Sequence, residues 1–150
     1  MPEMEPQQPT HVVTCFLMRE DRGEPEILIV QRSQRVRTYK GHWAGISGYL
    51  EPGVTPEQQA YDELREEVNL SQDDVLIMRS GPPVAFHDEQ INQSWVVHPF
   101  LFRLIHPDLV KTDWEATAHR WIAPRDIVTY PTVPRLVDAL RTVYPDIANA

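Results

Sequence analysis

The sequence predicts an α/β fold in which helices cover a β-sheet on both sides. Runs rich in β-branched, aromatic and other apolar residues make up much of the chain and predict strands at residues 11–19, 26–31, 74–79, 84–87 and 94–104. Apolar residues at helical spacing mark one segment after the first strands, at 56–68, and one at the end of the chain, at 134–143. This order fits an α/β/α sandwich. With 150 residues and no internal repeat, the chain is expected to form a single domain.

Local signals place the strands in order. Residues 1–10 are rich in Pro, Glu and Gln and predict a flexible N-terminal arm ahead of a domain spanning 11–150. Turn residues at 20–25 join the first two runs into an antiparallel hairpin. Because proline cannot donate a ladder hydrogen bond, Gly81-Pro82-Pro83 separates two strands and Pro99 predicts a bulge or an edge.

The helix at 56–68 has a signal at each end. Thr55 is a good N-cap, Pro56 suits the first helical position, and Gln58 is predicted to complete a capping box. Asn69 tolerates the left-handed conformation that ends a helix. One apolar stripe recurs every four residues and predicts the buried face: Ala60, Leu64 and Val68.

Another face of this helix carries carboxylates. Glu63, Glu66 and Glu67 stand at i, i+3 and i+4, so their Cβ atoms are expected roughly 5–6 Å apart. Asp62 adds a fourth carboxylate, and Arg65 offsets them locally. Like charges at this spacing destabilise a helix by roughly 0.2–0.5 kcal/mol per pair, so the cluster favours a counter-charge. Spacing alone leaves two interpretations open, a solvated acidic face and a site for a hard cation.

The stretch from Gly48 to Leu70 resembles the Nudix box. Its pattern is Gly, five residues, Glu, seven residues, then Arg-Glu-aliphatic-any-Glu-Glu-any-Gly-aliphatic. The opening Gly falls on Gly48, and the metal-binding carboxylates of the family fall on Glu63, Glu66 and Glu67. The resemblance implies a Nudix-type α/β/α sandwich with a mixed β-sheet.

Three positions depart from the pattern. Val54 replaces the first Glu of the box, Asp62 replaces its Arg, and Asn69 replaces its final Gly. Asn is a mild change because it tolerates the same backbone conformation. In the family the Arg helps to orient the catalytic Glu, so our hypothesis is that another cation, Arg65, has taken over this task.

The resemblance also implies a reaction. The chain is expected to be a Mg²⁺-dependent hydrolase, with Mn²⁺ as a second option, that cleaves a diphosphate bond in a nucleoside diphosphate linked to another moiety. Glu63, Glu66, Glu67 and the Gly48 carbonyl are the expected metal ligands, with Glu63 and Glu67 as catalytic residues. The alternative is a domain that has lost turnover, because of Val54 and Asp62, and binds a nucleotide or metabolite. A third option is a metal-dependent isomerase on the same fold, for which the sequence offers no supporting cysteine context.

Basic residues are concentrated just before the box. Arg32, Arg35, Arg37 and Lys40 fall within nine residues of an acidic protein. Guanidinium groups can hold phosphate oxygens in bidentate fashion, so the three arginines are predicted to bind substrate. Ordinary charges of a solvated loop are the alternative interpretation of this cluster.

Composition excludes several classes of partner. A net charge of −8 argues against broad binding to nucleic acid or anionic membranes, so the expected partner is a small phosphorylated substrate. The single cysteine, Cys15, excludes an internal disulfide and is expected in the core. No apolar run approaches membrane-spanning length and no signal segment opens the chain, so a cytoplasmic location is expected. Nudix proteins are often dimers, which makes a homodimer one expectation.

Overall fold

The structure, a computed structural model, describes residues 8–106 and 118–144, and within them one β-sheet is covered by a helix on each face. The strands are β1 (Thr10–Asp21), β2 (Glu24–Gln31), β3 (Trp43–Ala44), β4 (Ile46–Tyr49), β5 (Val75–Ser80), β6 (Val84–Asp88), β7 (Gln93–Leu104) and β8 (Ala118–Ile122). The helices are α1 (Pro56–Val68) and α2 (Leu136–Val143), with 3-10 turns at Gln72–Asp74 and Pro124–Thr129. The predicted α/β sandwich is confirmed.

The sheet is mixed, as predicted. Its main path runs β3-β2-β1-β7-β5, while β4 pairs with β1, β6 with β7 and β8 with β2. β1 and β7 are parallel, and the other pairs among the described residues are antiparallel. The predicted hairpin is β1–β2, which turns at Arg22 and Gly23, both with positive φ. β1 begins at Thr10, within the segment predicted to be an arm, and residues 1–7 of that segment lie outside the described residues.

Side chains of β1 alternate between the two layers. Val13, Cys15 and Leu17 face the cluster that holds α1, whereas Phe16 and Met18 face the cluster that holds α2. The predicted stripe of α1 is buried as expected: Ala60, Leu64 and Val68 are 0%, 1% and 7% exposed. The sandwich therefore has two cores, one on each face of the central strand.

The ends of α1 are largely as predicted. The Thr55 hydroxyl accepts a hydrogen bond from the Gln58 backbone N–H at 3.2 Å, and Asn69 has the left-handed conformation with φ 56°. The capping box is not formed: among the described residues Gln58 gives only the bond from its backbone N–H to the Thr55 hydroxyl, without the reciprocal bond from the Thr55 N–H to its side chain. The amide nitrogen of the Gln58 side chain donates to Asp62 Oδ1 at 3.0 Å, one turn along the helix.

Pro99 lies neither at an edge nor at the bulge. β7 is flanked by β1 on one side and by β5 and β6 on the other, and the register shift of this region lies between Ile77 and Arg79. The partner of β7 changes from β6 to β5 around Pro99, whose carbonyl accepts from the Gly81 N–H at 3.0 Å. Proline is therefore tolerated where one ladder stops and the next begins. Within the described residues, neither helix has the length and apolar character needed to cross a membrane.

Candidate active site

Glu63 is held where β4 meets α1. Its side chain projects from the middle of the helix toward the sheet and is only 7% exposed. The carboxyl group lies against the backbone of Gly48, so closely that a Cβ atom at residue 48 would overlap it. Gly48 does not have a positive φ, so glycine is required here for close approach and not for backbone conformation. Gly48, which opens the box, and Glu63, its buried glutamate, therefore pack directly against each other.

Gln59 is the hydrogen-bond partner of this carboxylate. It is 2% exposed, and its amide nitrogen donates to Glu63 Oε1 at 3.1 Å. Its amide oxygen accepts the backbone N–H of Glu51 at 3.1 Å. The hypothesis that Arg65 orients Glu63 is wrong, because Arg65 pairs with Asp62 at 3.5 Å on the exposed side of the helix.

The electrostatic environment of the site favours protonated carboxyl groups. Burial raises the pKa of Glu63 to about 7, and the charges of Glu67, Glu66 and Asp62 add to this, while the hydrogen bond from Gln59 opposes it. Desolvation also raises the pKa of Glu67, with Glu66 adding to the shift and Arg32 opposing it. Glu67 is therefore close enough to Glu63 for its negative charge to disfavour the ionised form of Glu63.

The thiol of Cys15 lies beside these carboxylates but is inert. It is fully buried, and its sulfur lies 3.6 Å from the carbonyl of Ala60. Burial raises the pKa of the thiol, and the charges of Glu63 and Glu67 raise it further. A thiol with a raised pKa is neither a nucleophile nor a metal ligand at neutral pH.

A cleft of about 140 Å³ opens beside Gly48. Its walls come from β1, β3, β4, β6, β7 and the two loops at residues 32–42 and 131–135. The lining includes Arg32, Tyr39, Ser47, Tyr49, Phe86 and Trp95. Tyr49 is 62% exposed, whereas Trp95 is 8% exposed. The cleft is thus an aromatic slot whose one end adjoins the carboxylate site.

The three predicted substrate-binding arginines separate in the structure. Arg32 is half-buried and lines the cleft, and its guanidinium donates to Thr38 O at 2.9 Å and to Thr38 Oγ1 at 3.3 Å. Arg35 and Arg37 are exposed and are not among the residues that line it. The structure therefore brings one of the three arginines to the carboxylates.

A hydrogen-bonded network that the sequence did not reveal holds the loop over the cleft. The Tyr39 hydroxyl donates to Asp88 Oδ2 at 2.7 Å and accepts from Trp95 Nε1 at 3.1 Å. Burial and the bond to Asp88 raise the pKa of Tyr39 to about 12. The partners are 49 and 56 residues apart in the chain, so no local signal could have found them.

Comparison with known proteins decides the family. The model of the NUDIX domain matches residues 9–147. The chain belongs to the Nudix family. It is 26% identical over 125 residues to an isopentenyl-diphosphate Delta-isomerase of Corynebacterium diphtheriae, a match that covers 80% of this chain and 67% of that protein. It is 24% identical over 125 residues to an asymmetrical bis(5'-nucleosyl)-tetraphosphatase of Caenorhabditis elegans, covering 83% of this chain and 87% of that protein.

Solved structures show the same Nudix fold. An Ap4A hydrolase of C. elegans in a binary complex superposes with a TM-score of 0.75 at 21% identity, covering 94% of this chain and 99% of that one. The family match and the tetraphosphatase relative support assigning the chain to the Nudix-type pyrophosphohydrolases, an enzyme class.

The carboxylates of this Nudix box suit a hard divalent cation in donor type and in charge. Oxygen ligands are those that Mg²⁺ and Mn²⁺ prefer. Burial, and after it the neighbouring carboxylates, raise the pKa of Glu63 and of Glu67, and a bound cation would stabilise their ionised forms. Within residues 8–106 and 118–144, no group of three or more His, Cys, Asp or Glu side chains is already arranged to hold a metal ion. Glu63 is buried whereas Glu66 and Glu67 are exposed, so these three carboxylates do not surround a common point in this structure.

Proposed function

We propose that this Nudix protein is a Mg²⁺-dependent hydrolase that cleaves a diphosphate bond in a nucleoside diphosphate linked to another moiety. One observation carries the proposal: a buried carboxylate, Glu63, is packed against Gly48 at the end of an aromatic cleft, with two further carboxylates on the same helix. A buried carboxylate surrounded by like charges is typical of an acid–base or cation site.

Each box residue has a proposed role. Glu66 and Glu67 hold the ion together with the Gly48 carbonyl, and Glu63 is a further ligand or the group that accepts the proton of the attacking water. When bound, the ion neutralises phosphate charge and lowers the pKa of water. In the metal-free protein burial raises the pKa of Glu63 to about 7, and a bound cation would lower it and favour the ionised carboxylate that a ligand or a base needs. Arg32, which lies on the cleft wall, is positioned to meet a phosphate group.

The aromatic walls of the cleft fit a nucleotide-derived substrate. Tyr49, which is exposed, and Phe86, which is half-buried, line the cleft and supply aromatic surface for a base. Because the C. elegans relative is a bis(5'-nucleosyl)-tetraphosphatase, dinucleoside polyphosphates are the first substrates to test. The cytoplasmic location and the homodimer expected from the sequence stay predictions.

Isomerase chemistry that needs an accessible thiol does not fit this chain. Its single cysteine, Cys15, is fully buried. The similarity to the Corynebacterium isomerase is therefore not accompanied by an accessible cysteine in this chain.

A substrate panel tests the proposal. The protein is incubated with dinucleoside polyphosphates, nucleotide sugars, ADP-ribose and nucleoside triphosphates, with Mg²⁺, with Mn²⁺ or with EDTA, and the products are separated by ion-exchange chromatography. Metal-dependent release of mononucleotides or phosphates supports the hydrolase. Thermal stabilisation by one of these ligands without any product supports the alternative, a binding domain that has lost turnover.

A further inference from the structure

The inference concerns the amide of Gln59, which lies one helical turn before Glu63 and is almost inaccessible to solvent, with 2% exposure. The neighbouring Gln58 is exposed and bonds only along the surface of the helix, to Asp62. Burying an amide is unfavourable unless both of its polar atoms find partners. In Gln59 both do, since Glu51 N–H and Glu63 Oε1 lie at 3.1 Å on its two sides.

The orientation of this amide follows from its partners. A backbone N–H can only donate, so the oxygen of Gln59 faces Glu51 and its nitrogen faces Glu63. The side chain thereby links the loop that enters α1 with the carboxylate, and the backbone of Gly48 closes the other side of the carboxyl group. Asp62, which stands where the box has its Arg, points instead to Gln58 and Arg65.

We infer that Gln59 is a positioning residue that fixes the carboxylate of Glu63 against Gly48 in place of the missing box arginine. This inference rests on the proposed function. A carboxylate restrained by one charge-assisted hydrogen bond and one backbone contact is held in a single arrangement before substrate arrives. Arg65 cannot do this, because its guanidinium is on the exposed side with Asp62.

Three substitutions separate positioning from simple packing. Gln59→Met keeps the volume and removes both hydrogen bonds. Gln59→Glu keeps an acceptor for the Glu51 N–H but removes the donor to Glu63. Gln58→Met makes the same chemical change at the adjacent exposed position and is the matched control. For each protein, kcat and KM are measured on the substrate found in the panel, Mn²⁺ affinity is measured by calorimetry without substrate, and the folded fraction by circular dichroism.

The expected result is a kcat lowered roughly 10- to 100-fold in both Gln59 variants, with KM changed less than about threefold and Gln58→Met unchanged. Weaker Mn²⁺ binding by Gln59→Met, which adds no new metal ligand, supports the inference independently of turnover. Wild-type kcat and wild-type Mn²⁺ affinity in folded Gln59→Met overturn it, as does activity lost only in proportion to the unfolded fraction. If the wild-type protein turns over nothing in the panel, the proposed function fails, and the Mn²⁺ titration alone decides the role of Gln59.

Discussion

The corner between β4 and α1 and the loop at residues 32–42 border the same cleft but are built differently. The corner is built from Gly48, Gln59 and Glu63, which lie within 16 residues of chain. All three are buried or half-buried. In the loop, Arg35 and Arg37 are exposed, and the tie to the sheet is made by Tyr39 through Asp88 and Trp95.

The difference separates two kinds of site. A residue that is buried and bonded within one short segment has its position set by that segment. The position of a residue on a loop is determined by partners that are distant in the sequence. Its charge alone therefore does not predict the direction of its side chain. We therefore expect changes in the corner to alter the chemical step and changes in the loop to alter mainly substrate binding.

The largest expected effect is that of Glu63→Gln. This substitution keeps the shape of the side chain but removes its charge and basicity, and kcat is expected to fall roughly 10²–10⁴-fold. The matched control is Glu57→Gln, which changes an exposed glutamate in the first turn of the same helix. Steady-state kinetics of both variants on the substrate from the panel make the measurement. Unchanged hydrolysis in folded Glu63→Gln would falsify the catalytic assignment.

The corner was readable from the sequence because its signals are local. Thr55, Pro56 and Asn69 bound the helix, and the four-residue spacing of its apolar stripe fixed which side faces the sheet. Glu63 follows Ala60 by three residues and therefore borders the apolar stripe, although its charge argued for a solvated position. The spacing could not reveal that Glu63 is buried, since that depends on the backbone of Gly48 arriving from β4.

The loop and the buried amide escaped the sequence analysis for physical reasons. Arg32, Arg35 and Arg37 are chemically identical, and only the fold distinguishes the one on the cleft wall. Gln59 resembles its neighbour Gln58 in sequence, and a buried glutamine inside an acidic helix has no compositional signature. The available signal was the position of Gln59, one turn before Glu63 and next to Ala60 of the predicted apolar stripe.

The second prediction concerns stability in the absence of metal. Because the pKa of Glu63 is raised from 4.5 to about 7, the folded state binds its proton more tightly than the unfolded state does. Stability from this group is therefore fully present below pH 4.5 and is lost as the pH rises through 7, by about 3 kcal/mol at most. Urea denaturation in EDTA between pH 5 and pH 8 measures this loss. Glu63→Gln is expected to flatten the dependence and Arg37→Gln in the loop to leave it intact; an equal slope in Glu63→Gln contradicts the prediction.

The third prediction tests the contact between Gly48 and Glu63. In Gly48→Ala the new methyl group displaces the Glu63 carboxyl, which is the end of a side chain and can move without a shift of the backbone. We expect kcat to fall roughly 10- to 100-fold and the free energy of unfolding to fall by about 1–3 kcal/mol, because the buried Gln59 amide loses its acceptor. Gly45→Ala is the contrasting variant, because its Cβ would meet the backbone carbonyl of Cys15, which cannot move as cheaply, at 2.9 Å. A Gly48→Ala protein that is as active as the wild type contradicts the packing of Glu63 against Gly48.

The smallest expected effect tests the arginines of the loop. Arg32→Gln is expected to raise KM about tenfold, the size of a lost charge-assisted contact, while Arg35→Gln and Arg37→Gln leave KM within about twofold. Arg32 also supports the loop through Thr38, so a raised KM alone has two explanations. Thr38→Val removes the bond to the Thr38 hydroxyl and leaves the arginine charge on the cleft wall. If Thr38→Val raises KM as much as Arg32→Gln does, Arg32 acts by holding the loop through the Thr38 hydroxyl, whereas a change confined to Arg32→Gln excludes this hydroxyl contact as the cause. Equal effects at all three arginines instead mean that the loop closes over the substrate and brings the exposed side chains with it.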